Sequence, residues 1–276
     1  MRIRSARPLA VAVLLALGAC GPGQQAGEPR RSAPSATNEQ SPTTDPVGPG
    51  PTSAAQDIWS FEPLSPIEAG TYFIDPDLDP STPLRVVYEV PAEGWSMWIG
   101  AGKFADKDQT CSTDGCGNPR HVIVSITTVS NLVTQGCRDH SWADPPVGPT
   151  VDDLATALAD LAPFRVTSPP EDVTIYGFSG KHLEWTVPNL PVVHEGDDTH
   201  FTECQESSLK SWVAAIDAGE PGDAFYGYTG PGYREEFWIL DVEGTRLMIS
   251  AGGSADSPPQ DIAERQAILD SIRIEP

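Results

Sequence analysis

Every aromatic ring of this chain lies beyond Gln56: all seven Trp, all six Tyr and all eight Phe fall within residues 57–276. Aromatic side chains carry the largest apolar payload, so a packed core has to be built from those residues. About 220 residues suffice for one substantial core. We find neither a second linker nor an internal repeat to divide them. Residues 21–56 have the opposite character. They hold seven prolines, many Ser, Thr and Gly, and Val47 as the one large apolar side chain. Such a segment cannot bury enough surface to offset its ordering entropy, so we expect a disordered tether. As a flexible coil it spans roughly 30–35 Å, more where proline stiffens it.

The tether follows a segment built for export. Arg2, Arg4 and Arg7 precede a dozen apolar residues at 8–19, and small residues then lead to Cys20. This is the build of a secretory signal peptide. It is too short to cross a bilayer as a helix, which takes about 20 residues. Leu17-Gly18-Ala19-Cys20 resembles the lipobox of bacterial lipoproteins. That resemblance implies a diacylglycerol on the Cys20 thiol, cleavage before it, and a membrane partner reached through the lipid. The alternative is an ordinary signal peptide cut near Ala19. The expected organisation is a signal peptide at 1–19, a lipidated cysteine and linker at 20–56, and one acidic globular domain at 57–276. The expected location is the extracytoplasmic face of the cell membrane.

The formal charge of −22 is concentrated in that domain, where twelve Lys and Arg face thirty-six Asp and Glu. A surface this acidic offers no basic patch to displace counterions from phosphates, which argues against nucleic acid as a partner. Anionic headgroups should repel it as well, so the tether holds the body near the membrane without adhesion.

With Cys20 taken by lipid, Cys111, Cys116, Cys137 and Cys204 remain, an even number in an exported chain. That points to disulfides. Three pairings are possible. We favour Cys111–Cys116, closed through an Asp-Gly turn, and Cys137–Cys204 as a long-range staple. Zinc held by these cysteines with His121 or His140 is the sharper alternative, but their spacing is looser than that of paired zinc ligands.

Residues 84–91, 94–104 and 121–129 read as strands, the last with Val122, Val124 and Ile126 on one face. Thr150 and Asp153 form a variant capping box at the head of a helix carrying Leu154, Leu158 and Leu161. Residues 172–188 read as a hairpin in which Leu183, Trp185 and Val187 alternate with His182, Glu184 and Thr186. Residues 237–252 form another, turning at Glu243-Gly244. Ser257 caps a final helix with Pro258 in its first turn, and a short strand closes the chain. The sum is an α+β fold, a twisted, mainly antiparallel sheet covered by helices. This order of elements, with VPAEGW, HVIVSITTV, FWILDVEGTRLMI and SIRIEP as its markers, is similar to the PsbP-like α/β/α sandwich. It is similar also to exported actinobacterial lipoproteins that share the sandwich. The likeness supports the Cys137–Cys204 pairing and implies no activity.

No catalytic set, metal site or cofactor motif is legible. GFSGK (177–181) lacks the final glycine and the strand-to-helix context of a nucleophile elbow. DPDLDPS (75–81) has Pro80 and Val86 where a calcium loop needs Gly and Glu. HEGDDTH (194–200) reads as a solvated acidic loop, though its histidines and carboxylates could hold a divalent ion. In FYGYTGPGY (225–233), Tyr226, Tyr228 and Tyr233 could line a ligand or partner loop, or pack internally. The expectation is therefore a non-enzymatic binding or scaffold module whose partner is an envelope protein or small ligand. An envelope hydrolase with an unrecognised site, or a metal- or solute-binding accessory lipoprotein, is the alternative.

Overall fold

A computed structural model describes residues 54–79, 83–104, 121–195, 198–215 and 225–276. Cys20, the signal peptide, nearly all of the tether, and the Cys111–Cys116 pair lie outside the described residues. The described strands are, in chain order, β1 (Gln56–Asp57), β2 (Pro66–Ile67), β3 (Gly70–Ile74), β4 (Arg85–Val90), β5 (Trp95–Trp98), β6 (Gly100–Phe104), β7 (His121–Gln135), β8 (Asp139–Trp142), β9 (Arg165–Ile175), β10 (Phe178–Thr186), β11 (Val192–Glu195), β12 (Asp198–Phe201), β13 (Lys210–Ala214), β14 (Phe225–Gly227), β15 (Arg234–Val242), β16 (Thr245–Gly253) and β17 (Arg273–Glu275). Helix α1 (Val151–Ala159) lies between β8 and β9, and α2 (Pro259–Ser271) between β16 and β17. This is an α+β fold dominated by antiparallel sheet.

The main sheet runs β2-β5-β6-β7-β16-β15-β10-β9, with β8 and the β13–β14 pair attached to β7. Local chemistry sets its hairpins. Glu243 and Gly244 both have positive φ, 52° and 92°, the two-residue turn that matches strand twist. Tyr176 and Gly177 do the same between β9 and β10, at 53° and 88°. Residues 94–104, read above as one strand, instead reverse at Ile99 into β5 and β6, with Met97 opposite Ala101. Gly100 permits the reversal: its φ is 137°, and a Cβ there would run into the carbonyl of Val124.

One face of the main sheet, with Val122, Val124, Ile126, Ile249 and Ala251, packs in a core with Tyr72, Ile74, Val86 and Tyr88 of a second sheet and Ile268 and Leu269 of α2. That second sheet, β1-β3-β4-β17, is not legible in the sequence as a separate layer. The opposite face contributes Leu183, Trp185, Phe237, Ile239 and Met248 to another core, with Leu154 and Leu158 of α1 and Trp212 of β13.

Both helices start near the expected places, with one correction. Thr150 and Asp153 form a reciprocal capping box on α1, each side chain accepting from the other's backbone N–H at 3.1 and 3.0 Å. Ser257, however, does not cap α2. Pro258 occupies the cap position, and the Ser257 hydroxyl donates to the His121 carbonyl at 2.8 Å. That bond ties the approach to α2 to the start of β7.

Candidate functional site

The side chains of most chemical interest lie on β10 and β15, which pair in antiparallel register from Gly180–Leu240 to Thr186–Arg234. Alternation along a strand sends successive residues to opposite faces. Leu183, Trp185, Glu235 and Phe237 therefore face the α1 side. His182, Glu184, Glu236 and Trp238 face the side covered by α2.

On the α1 side Glu235 is fully buried. The Tyr228 hydroxyl donates to its Oε2 at 2.6 Å and lies 3.1 Å from the Ser211 hydroxyl. The Tyr226 and Tyr233 hydroxyls are 3.2 Å apart. Tyr226 stacks on Trp212, Tyr233 meets Tyr228 edge-on, and Trp185 stacks on Phe164. Burial is the dominant influence on the Glu235 carboxyl and pushes it up to about 7, opposed by the polar groups of Tyr228, Ser250 and Trp185. The Ser250 hydroxyl and Trp185 indole N–H sit near the carboxyl without completing hydrogen bonds of standard geometry, and among the described residues Oε1 is likewise without one. Desolvation also raises Tyr226 and Tyr228 well above the usual phenol range, with Tyr233 and Glu235 next in weight for the first and Glu235 for the second. The three tyrosines thus turn into the core, each under a tenth exposed. Their hydroxyls gather around a carboxylate that sequence reasoning passed over. Strand parity could have found it, because inward Phe237 and Ile239 place Glu235 inward too.

No protein-family model and no curated protein matches the chain. Among solved structures, LpqN, described as involved in cell envelope biogenesis of Mycobacterium tuberculosis, is similar over 77% of this chain and 90% of its own. The two share 10% identity at a TM-score of 0.28. That likeness is too slight for either protein to inform the fold, location or activity of the other.

On the α2 side, one ligand atom each from His182, Glu184 and Glu236 lies within 4.8 Å of the other two, and all three residues are half-buried. His182 Nε2 is 3.9 Å from Glu236 Oε2, and Arg265 Nη2 of α2 is 3.9 Å from Glu236 Oε1. The His182 ring leans on Trp238, centroids 5.2 Å apart. Glu184 and Glu236 are directly opposite in the ladder. The β9–β10 register shifts on both sides of Glu184. In the sequence His182 and Glu184 are visible as outward positions of a hairpin. Glu236 joins them only through the β10–β15 pairing.

The remaining sequence candidates are placed as follows. Ser179 and Gly180 of the elbow-like run lie within β10, and Lys181 forms ion pairs with Asp172 at 2.7 Å and Asp152 at 3.2 Å. Those residues line a cleft of about 440 Å³ at the head of α1. Its other cation, Arg246, donates to the carbonyls of Gly148, Thr150 and Val129. In the acidic turn, Asp75 Oδ1 accepts from the backbone of Asp77 and Leu78 and Asp77 Oδ1 from Asp79, a self-capped turn. In the β11–β12 hairpin, His194 pairs with Thr199 and His200 with Val193, which sends the two imidazoles to opposite faces. Cys137 and Cys204 are joined as a disulfide, so neither serves as a zinc thiolate. Beside them, buried His140 has Nε2 3.0 Å from the Gly136 carbonyl. Among the described residues, no helix is long and apolar enough to cross a membrane.

Proposed function

We propose that this chain is a lipid-anchored protein of the extracytoplasmic face of the cell envelope, a PsbP-like lipoprotein of the exported actinobacterial kind, whose body binds a partner or small ligand without catalysis. The observation that carries the reading is the Cys137–Cys204 bond, S–S 2.05 Å, between residues 67 apart. A structural disulfide persists in oxidising compartments and is rare in the cytosol. It agrees with the basic, apolar and Leu-Gly-Ala-Cys segments that head the chain. The non-catalytic part of the reading is supported by the interior position of Glu235. The near-neutral carboxyl and its phenols are packed into the core, where a substrate does not reach them.

The physical logic is a division of labour. Acyl chains contribute about 0.8 kcal/mol per buried methylene, and two chains give stable anchoring where one does not. The tether then holds a strongly acidic body clear of like-charged headgroups. Cys20→Ala tests the anchor: the variant should move from the membrane fraction to the soluble fraction and lose its acyl mass. Unchanged membrane association would overturn it.

A further inference from the structure

The His182–Glu184–Glu236 cluster has an electrostatic imbalance that the surrounding residues leave standing. Like charges directly opposite one another in an antiparallel ladder destabilise it, and Glu184 and Glu236 are such a pair. Among the described residues the Glu184 carboxylate makes no hydrogen bond or ion pair. Among those same described residues the Glu236 carboxylate has only the 3.9 Å contacts with His182 and Arg265. Both carboxylates are half-buried, so water screens them incompletely. The irregular β9–β10 pairing at Glu184 is the kind of feature that re-aims a side chain.

We propose that His182, Glu184 and Glu236 bind one divalent first-row transition ion, zinc by preference. Two carboxylates and a neutral imidazole bring two negative charges to a dication. The nitrogen donor selects against calcium and magnesium, which take oxygen ligands. Zinc bonds of about 2.0–2.2 Å put the ligand atoms of a tetrahedral site roughly 3.4 Å apart. Rotation of the long glutamate side chains would bring the present spacing, within 4.8 Å, to that value with the strands left in place. Three protein ligands leave a fourth position open to water or a ligand group. Arg265 competes for Glu236, so its guanidinium tunes the affinity. The site is independent of lipidation and stands whether or not Cys20 is acylated.

The test is titration of the full chain, stripped with EDTA, with zinc by calorimetry and with cobalt by visible absorption, in excess calcium to occupy diffuse acidic surface. One ion should bind per chain. His182→Gln and Glu184→Gln should each weaken it by roughly 10- to 100-fold or more, while Arg265→Gln tightens it. In EDTA, thermal midpoints of His182→Gln and Glu184→Gln no lower than that of wild type show that the fold is retained. Failure of one-to-one binding in calcium, or binding that survives both ligand substitutions, overturns the site.

Discussion

At the scale of single residues, Glu235 sets a pH dependence of stability. Its carboxyl titrates near 7 in the fold and near 4.5 in an unfolded chain, because burial penalises the charged form. A raised carboxyl binds its proton more tightly when folded. The associated stability is fully present below about pH 4.5 and is lost as pH rises through 7. The shift corresponds to about 3 kcal/mol. Urea denaturation at pH 5 and pH 8 should show wild type losing stability across that interval, and Glu235→Gln should flatten the loss. Equal pH slopes in the two proteins would refute this account. The neighbouring Glu236 shows how much one step along a strand changes: it faces the other layer, half-buried, beside His182 and Arg265.

Among elements, the Cys137–Cys204 bond joins the tight turn between β7 and β8 to the segment after β12. Cross-linking residues 67 apart restricts the unfolded chain, worth about 4 kcal/mol on the chain-entropy account. Reduction, or paired Cys137→Ala and Cys204→Ala substitution, should lower the urea midpoint by an amount corresponding to roughly 2–4 kcal/mol. An unchanged midpoint would show the cross-link to be energetically idle. What the sequence discloses about elements follows their locality. The turn at Glu243-Gly244, the capping box of Thr150 and the alternation of Leu183, Trp185 and Val187 are written in adjacent residues, and each reappears in the fold. The second sheet is not legible, because β17 meets β4 across nearly the whole domain and nothing near either strand specifies that register. The extent of β9 is hidden by Pro169 and Pro170, which an edge strand tolerates and an inner one does not. The site follows the same rule. His182 and Glu184 are local, while Glu236 and Arg265 arrive by pairing and packing between distant segments.

The molecule as a whole is organised around β7. This 15-residue strand pairs with β6, β16, β13 and β8. Its first half, with Val122, Val124 and Ile126, belongs to the core beneath the second sheet. Its second half, with Val129, Leu132 and Val133, belongs to the core beneath α1. Denaturation should therefore be one transition by tryptophan fluorescence and by far-ultraviolet dichroism, since Trp95 and Trp212 report the two cores separately. Amide exchange from Val122 to Val133 should be among the slowest in the protein, and two separated transitions would contradict the expectation.

A strand that serves as common wall to both interiors also decides how the protein fails. Damage confined to either chamber, whether an oxidised ring or a misplaced side chain, is transmitted along that wall to the other. Proteases would then encounter the body either intact or wholly opened, with few half-digested forms between.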